Sequence, residues 1–396
     1  MRRLVLGAML LLAGCAAPPP APPPPSKPLA DRLVLSPARF EDLPGWRRDS
    51  AAAALPAFLK SCERITRMPF DASIGAQGVG GVAADWMGAC GAARRVPPGD
   101  DGAARAFFEQ WFTPWQAANN GKADGLFTGY YEPELNGSRV RHGPYTVPLL
   151  ARPGDLVTFD PGSFRPDLPH EQLAGRVMNG RLEPYPARAA IESGALGDLA
   201  RPLVWLDDPV DAHILHIQGS GRVKLDDGTV VRVGVAATNG RPFVGIGKLL
   251  ADKGKLPAGS SMPVIRAWLR AHPDEAGALM DGNPRYVFYR MVPGDGPVGT
   301  EGVVLTAQRS LAVDTRFLPL GAPLWLDTVT PKGVPLRRIV VAQDTGAAIR
   351  GPVRGDLFWG TGDAAFDMAG GMKSPGRYWL LLPRERSPRL AAAGAD

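Results

Sequence analysis

The stretch that decides the fold is IVVAQDTGAAIRGPVRGDLFWGTGDAAFDMAG, residues 339–370. It opens with an apolar run typical of a β-strand and then presents acids that are flanked by glycines and abut aromatic residues. Glycine lets the backbone approach a ligand closely. A carboxyl group pressed against apolar rings has its charged form disfavoured, so its pKa rises and it can act as a general acid. The same residues also fit a glycine- and aspartate-rich turn region around a buried tryptophan, and both interpretations stay open.

The N-terminus has the pattern of a bacterial lipoprotein signal. A short basic start precedes the apolar run 4–12, which is too short to span a bilayer, and LAGC follows at residues 12–15. This resembles a lipobox, with cleavage before Cys15 and lipidation of its thiol. A plain signal peptide with an incidental cysteine is the alternative. Ala16 in the next position, rather than Asp, indicates the outer membrane.

The segment after the signal is PPPAPPPP at residues 18–25. Such a run favours extended polyproline II and makes a semi-rigid spacer. The remainder is long enough for more than one domain and has no run long and apolar enough for a membrane helix. With 48 Gly and 41 Pro, the chain is predicted to be rich in turns and strands. The formal charge of +6 suits an anionic cell-wall polymer, and the lack of a clustered basic stripe argues against nucleic acid.

Cys62 and Cys90 are the two remaining cysteines, in a compartment that permits disulfides. We expect them to form a disulfide that joins two helical segments, 51–67 and 83–93. Metal binding is the weaker alternative, because no histidine lies nearby and two thiols do not complete a zinc site.

A third helix is predicted over 103–118, where five aromatic residues fall at helical spacing. Pro114 is expected to kink or end it, and the aromatic stripe is assigned to the core rather than to a sugar platform. Two alternating runs around Asp227-Gly228 indicate a β-hairpin. Further helices are predicted over 246–253 and 261–271, and further strands over 145–150, 203–206, 213–218 and 286–291.

Seven short motifs are spread over most of the chain. They are FTGYYEP at 127–133, IQGSG at 217–221, TNG at 238–240, RSLAVD at 309–314, PLG at 319–321, QDTG at 343–346 and GDLFWG at 355–360. Each motif alone is weakly specific. In this order, and together with the lipobox, they resemble the membrane-bound lytic murein transglycosylase A family.

The resemblance implies a mainly β fold with peripheral helices, in which a double-psi β-barrel domain carries a smaller inserted β-rich domain and a glycan groove lies between them. The implied boundaries are 1–15 for the lipoprotein signal peptide, 16–30 for the proline-rich linker, 31–134 with 236–383 for the helical N-terminal part and the barrel domain, 135–235 for the insert and 384–396 for a poorly ordered tail. The barrel is therefore expected to be assembled from two separate pieces of sequence.

The resemblance also implies a reaction, the cleavage of the β-1,4 bond between N-acetylmuramic acid and N-acetylglucosamine of peptidoglycan without water, which leaves 1,6-anhydromuramoyl ends. One aspartate suffices, because it protonates the leaving glycosidic oxygen and then accepts the proton of the sugar's own C6 hydroxyl. Ordinary glycosidases need a second carboxylate. The position that matches the family's catalytic acid is Asp356. Asp344 matches a second acid that tunes or orients it, and Asp363 is a third acid nearby.

Seven residues are expected to contact the glycan. They are Thr128, Tyr130, Tyr131, Gln218, Ser220, Phe358 and Trp359. Tyr130 and Tyr131 also fit the barrel core, and the turn 219–221 also fits a plain hairpin. Arg350 and Arg354 fit either substrate carboxylates or the aspartates themselves.

No metal or cofactor is implied. His213 and His216 stand three apart, and in a strand they would face opposite sides. The implied partners are peptidoglycan glycan strands and, through the lipid anchor, the periplasmic side of the outer membrane; cell-wall enzyme complexes are compatible with this location.

Two other functions stay open. One is a hydrolytic glycosidase on the same polymer, in which Asp344 or Asp363 activates water. The other is a non-catalytic lipoprotein that binds peptidoglycan. Product analysis separates the three, because they give anhydro ends, reducing ends or no cleavage.

Overall fold

The structure is a computed structural model that describes residues 29–169, 172–294, 296–346 and 348–384. The signal sequence, Cys15, the proline-rich run and the tail from residue 385 lie outside the described residues. None of the helices in the described part of the chain has both the length and the apolar character needed to cross a membrane.

Strands dominate the described residues. They are β1 (Leu33–Pro37), β2 (Phe112–Asn119), β3 (Gly125–Glu132), β4 (Glu134–Ser138), β5 (Val147–Leu150), β6 (Val157–Phe159), β7 (Leu173–Met178), β8 (Arg181–Pro184), β9 (Pro202–Leu206), β10 (Ser220–Leu225), β11 (Val230–Thr238), β12 (Val287–Met291), β13 (Ser310–Ala312), β14 (Pro323–Val329), β15 (Pro335–Asp344), β16 (Arg354–Thr361) and β17 (Lys373–Pro383). The helices are α1 (Leu55–Ile65), α2 (Ala84–Ala93), α3 (Asp101–Trp111), α4 (Arg188–Glu192), α5 (Pro209–Gln218), α6 (Ile246–Asp252), α7 (Met262–Ala271), α8 (Pro273–Asp281) and α9 (Asp363–Gly371).

The largest sheet closes on itself. Its strand order is β1-β2-β17-β14-β15-β13-β16-β3, and an additional pairing of β17 with β3 joins the strands from β17 to β3 into a barrel. A closed barrel leaves no unpaired edge among its strands. The opening run of the deciding stretch, residues 339–342, is fully buried in β15 at its centre. The predicted mainly β fold with a barrel is therefore confirmed.

Helices α1 to α3 cover one side of the barrel. Cys62 and Cys90 form a disulfide that links α1 to α2. Helix α1 is also tied to β15, because the side-chain amide of Gln343 donates to Ala57 O at 2.8 Å and to Ser61 Oγ at 2.9 Å. The disulfide therefore anchors a helix that supports the strand ending at Asp344.

The helix predicted over 103–118 is shorter than predicted, with 11 residues instead of 16. It ends at Trp111, and Phe112 turns to extended backbone with φ −125°. The chain then continues as β2, which pairs with β1 on one side and β17 on the other. The physical reason lies partly in Pro114, because proline lacks the amide donor a helix needs and disfavours helical backbone in the residue before it.

A second sheet packs beside the barrel, with the order β12-β11-β10-β4-β9-β5. Its β10–β11 hairpin turns at Asp227-Gly228 as predicted, and it has its own apolar core. Strand β12 belongs to this sheet although it lies beyond residue 235, where the insert is expected to end. A small sheet of β6, β7 and β8 completes the described strands. The domain boundaries themselves stay a prediction.

The predicted strand over 213–218 is wrong, because these residues belong to helix α5. Asp208 caps the helix by accepting from the amides of Val210 and Asp211, and Gly219 ends it in the left-handed region at φ +83°. None of residues 210–218 is exposed, so the helix has no solvent-facing polar side whose helical spacing would mark it in the sequence.

Candidate active site

A cleft of about 520 Å³ lies between the barrel and the second sheet. One wall comes from β3, β15 and β16 of the barrel. The other comes from the end of α5 and from β10, β11 and β12. Seven of the described residues predicted to act in catalysis or binding line this cleft. They are Tyr130, Tyr131, Gln218, Ser220, Asp344, Asp356 and Phe358.

Asp356 sits in β16, directly opposite Thr128 of the parallel strand β3. Thr128 Oγ1 donates to Asp356 Oδ1 at 2.6 Å, and Arg354 Nη2 donates to Thr128 Oγ1 at 2.9 Å. Burial raises the pKa of Asp356 to about 6, and the charge of Asp344 adds to the rise. Thr128 and Arg354 act in the opposite direction and limit it. Asp356 is therefore an acid that holds its proton in mildly acidic solution.

Asp344 has a different environment at the end of β15. Tyr130 OH donates to its Oδ2 at 2.9 Å. Its Oδ1 accepts from the backbone amide of Thr300 at 2.8 Å, from Thr300 Oγ1 at 2.9 Å and from the backbone amide of Thr345 at 2.9 Å. All four partners are donors, which suits a carboxylate that acts only as an acceptor. Asp344 is thus held in one orientation beside Asp356.

Aromatic side chains flank the two acids. The rings of Tyr130 and Phe358 lie 5.3 Å apart between centroids, and both line the cleft. Trp359 is buried behind them and donates to Met372 Sδ at 3.4 Å, so it supports the wall from the core. Gly129 is required there, because a Cβ atom at this position would lie 2.5 Å from Trp359 Nε1.

The opposite wall carries the predicted IQGSG motif. Gln218 is the last residue of α5 and Ser220 the first of β10, and both line the cleft. Sequence reasoning did not find three other residues of this wall, His216, Phe243 and Arg285. The TNG motif just before Phe243 was a weak local signal, whereas nothing near Arg285 marked it.

Asp363 is not brought together with the other two acids. It begins α9, its side chain is 87% exposed, and Arg266 Nη1 lies 3.1 Å from its Oδ1. Arg266 also pairs with Asp211, at 3.0 Å. The structure thus places Asp363 in an ion-pair cluster beside the cleft.

The two histidines of α5, His213 and His216, have different surroundings. His213 is buried, and neither ring nitrogen has a hydrogen-bond partner among the described residues. His216 lines the cleft. The described residues contain no group of three or more His, Cys, Asp or Glu side chains placed to hold a metal ion.

This geometry fits acid catalysis on a sugar polymer. One carboxyl group has its pKa raised to about 6, a second carboxylate is fixed beside it, and aromatic rings line the same wall. A general acid must be protonated when the leaving group departs, and burial is a usual way to achieve this.

Two family models match the chain, the MltA specific insert domain over residues 126–290 and the 3D domain over residues 309–382. The membrane-bound lytic murein transglycosylase A of Vibrio cholerae is 33% identical in an alignment of 293 residues that covers 70% of this chain. The alignments cover 71% of the length of that protein and 65% of the length of its Escherichia coli namesake.

Solved structures share the fold. The lytic transglycosylase LtgG of Burkholderia pseudomallei is 46% identical, with a TM-score of 0.65 over 90% of this chain and 98% of that one. MltA from Neisseria gonorrhoeae is 33% identical, with a TM-score of 0.76 over 90% of this chain and 92% of that one. The chain belongs to the membrane-bound lytic murein transglycosylase A family.

Proposed function

We propose that this protein is a lytic transglycosylase that cleaves the β-1,4 bond between N-acetylmuramic acid and N-acetylglucosamine of peptidoglycan and leaves 1,6-anhydromuramoyl ends. The single observation that carries the proposal is Asp356, a carboxyl group with its pKa raised to about 6 on the wall of a cleft large enough for sugars. Family membership supports it, because the relatives are named lytic murein transglycosylases.

In the proposed first step, protonated Asp356 gives its proton to the glycosidic oxygen as the bond from that oxygen to C1 of the muramoyl residue breaks. In the second step, the C6 hydroxyl oxygen of the same residue bonds to C1, and the Asp356 carboxylate accepts the hydroxyl proton. The acid is regenerated and no water is consumed. One carboxyl group therefore serves as acid and then as base.

The surroundings of Asp344 favour this mechanism over hydrolysis. A hydrolytic glycosidase needs a second carboxylate as nucleophile or as the base that activates water. Asp344 already accepts four hydrogen bonds, so it is poorly placed to take a proton from water. Its proposed role is to orient the site and to keep Asp356 protonated through its negative charge.

The proposed sugar contacts come from both walls. Tyr130 and Phe358 offer ring faces to the apolar faces of sugars, and Gln218 and Ser220 offer hydrogen-bonding groups from the opposite side. Thr128 and Trp359 act behind this surface, Thr128 on Asp356 and Trp359 on the packing of the wall.

The test is product analysis by mass spectrometry after digestion of purified peptidoglycan. Anhydromuropeptides are the expected product. Reducing-end muropeptides alone would instead support the hydrolytic alternative, and the absence of cleavage with retained binding would support a non-catalytic protein.

We also propose that Cys15 carries a lipid anchor and that the mature protein faces the periplasm from the outer membrane. The support is the LAGC sequence at residues 12–15 and the word membrane-bound in the names of the relatives. A Cys15→Ala variant is expected to escape processing at that position and to lose its outer-membrane fractionation. Unchanged processing and fractionation would overturn the anchor.

A further inference from the structure

The charged groups of the cleft are unevenly distributed. Asp344 and Asp356 line the barrel wall, and Glu132 is neutralised by Arg232, whose Nη1 lies 2.6 Å from Glu132 Oε1. Arg285 is the basic residue among the described residues that line the cleft, and it lies on the opposite wall. A cation is thus set across the cleft from the two acids.

The backbone around Arg285 is rigidly held while its side chain is not. Its amide donates to Asn283 Oδ1 at 3.3 Å, and its carbonyl accepts from Arg188 Nη2 at 3.0 Å. The next amide, of Tyr286, donates to Asn239 Oδ1 at 2.8 Å. The half-buried Arg285 guanidinium makes no hydrogen bond or ion pair with the residues that the structure describes. It therefore presents a fork of unused donors from a fixed base.

His216 adds a donor beside this cation. Its Nδ1 accepts from the amide of Val287 at 3.1 Å, and its ring packs against those of Tyr286 and Tyr289. Burial, reinforced by the charge of Arg188, holds the pKa of His216 well below its usual range. A neutral imidazole whose Nδ1 accepts carries its proton on Nε2. His216 lines the cleft, so this N–H is a fixed neutral donor next to Arg285.

We infer that Arg285, assisted by His216, forms a subsite for a carboxylate carried by the muramoyl residue of the glycan. The inference rests on the proposed function, because it assumes that the cleft holds peptidoglycan. A planar guanidinium matches a carboxylate with two parallel hydrogen bonds, and partial burial strengthens the pair. The carboxylate comes from the lactyl group of a strand without peptides or from the stem peptide attached to that group.

The subsite gives the cleft a way to set the register of the strand. The two sugars of peptidoglycan alternate, and of the two only the muramoyl residue bears a lactyl group. A cation on the wall opposite Asp356 therefore favours placing a muramoyl residue, rather than N-acetylglucosamine, at a fixed distance from the acid. The glycosidic bond at the muramoyl C1 is then the bond presented to Asp356, and this is the bond that the proposed reaction cleaves.

The test measures binding by isothermal titration calorimetry in an Asp356→Asn background, which prevents turnover. Three probes are used: an oligosaccharide of alternating N-acetylglucosamine and N-acetylmuramic acid with free lactyl carboxylates, the same oligosaccharide with stem peptides, and neutral chitohexaose. When Arg285→Gln is introduced into this Asp356→Asn background, it is expected to weaken the binding of at least one acidic probe by about tenfold or more. The affinity for chitohexaose is expected to stay unchanged. The acidic probe that loses affinity identifies the source of the carboxylate.

Two controls separate charge from structure. Arg285→Lys keeps the charge and is expected to retain part of the preference for acidic probes. Arg290→Gln removes an exposed arginine from β12, the strand that begins two residues after Arg285, and is expected to bind all probes like the background protein. Thermal melting of each variant reports whether the fold is intact.

Equal affinity of the background and Arg285→Gln proteins for every probe would overturn the subsite while the proposed function stands. Equal weakening of chitohexaose and the acidic probes would overturn it too, because the effect would not depend on charge. Failure of the background protein to bind any probe would overturn the glycan cleft itself and the subsite with it.

Discussion

Asp344 and Asp356 lie close together on two strands of the barrel, but their surroundings differ. Asp344 at the end of β15 and Asp356 in β16 both pair in register with Ala312 of the strand between them. Asp344 accepts four hydrogen bonds, whereas Asp356 accepts one side-chain hydrogen bond, from Thr128, and its burial raises its pKa to about 6. Burial therefore makes Asp356 a proton-carrying acid, whereas four donors hold the Asp344 side chain in one orientation.

The largest expected difference is in catalysis. Asp356→Asn is nearly isosteric but cannot donate or accept the transferred proton, so release of anhydromuropeptides should fall by about 100- to 10,000-fold, towards the upper end. Asp344→Asn should cost less, because it alters the environment of the acid and does not remove the proton. Thermal melting is the fold control. Normal turnover by Asp356→Asn with loss in Asp344→Asn or Asp363→Asn would reverse the assignment.

A third acid extends the comparison to stability. Glu301 follows Thr300 in the loop that holds Asp344, and its Oε2 accepts from Ser61 Oγ at 2.7 Å. Burial raises the pKa of Glu301 from 4.5 to about 7. The folded state therefore binds more protons than the unfolded state between these pH values, and stability is lost as pH rises through this window.

Glu301→Gln mimics the protonated form and should remove this pH dependence. At pH 8 it should raise the free energy of unfolding by on the order of 1–3 kcal/mol. Denaturant unfolding at pH 5 and pH 8 measures the effect, with Glu41→Gln as a control at a side chain that is 63% exposed. A destabilised Glu301→Gln at pH 8 would mean that the buried charge is favourable.

A smaller effect is expected at Tyr130. Tyr130→Phe removes one of the four donors to Asp344 and keeps the ring that packs against Phe358. Because one neutral donor is lost and three remain, turnover should fall by about 2- to 10-fold. A loss as large as that of Asp356→Asn would show that the hydroxyl takes part in proton transfer. Steady-state kinetics on purified peptidoglycan distinguishes the outcomes.

The smallest change is expected at Thr128. Thr128→Val removes the donor that lowers the pKa of Asp356, so the pKa should rise and the fall of activity on the alkaline side should move to higher pH. Thr229→Val, in the exposed hairpin, is the matched control and should leave the pH profile in place. A shift to lower pH would mean that Thr128 stabilises the protonated acid.

Short-range patterns in the sequence predicted the barrel wall of the site well. Asp344, Asp356 and Phe358 lie on β-strands within one continuous stretch, so neighbouring residues already define the acid and its apolar surroundings. The position of Asp363 was harder to predict, because β16 ends at Thr361 and the chain turns into α9 at Gly362, where φ is +84°. Seven residues of separation from Asp356 do not reveal that break.

The opposite wall depends on contacts that are distant in sequence. Thr300 reaches Asp344 from a loop 44 residues away. Arg285 lines the cleft from the segment just before β12, the strand that pairs with β11. No local pattern encodes such pairings. Helix α5 was misassigned for another reason, because a short helix without an exposed polar side shows no clear helical spacing in its sequence. The cap at Asp208 was the usable signal.

The pH dependence of kcat/KM for anhydromuropeptide release tests the central claim most directly, because this ratio reports ionisations of the free enzyme. If protonated Asp356 is the general acid, the ratio should be high below its pKa and should fall by about tenfold per pH unit above about 6. Asp344→Asn removes the neighbouring negative charge and should move this fall to lower pH. A ratio that stays level or rises between pH 5 and pH 8 would contradict the assignment of Asp356.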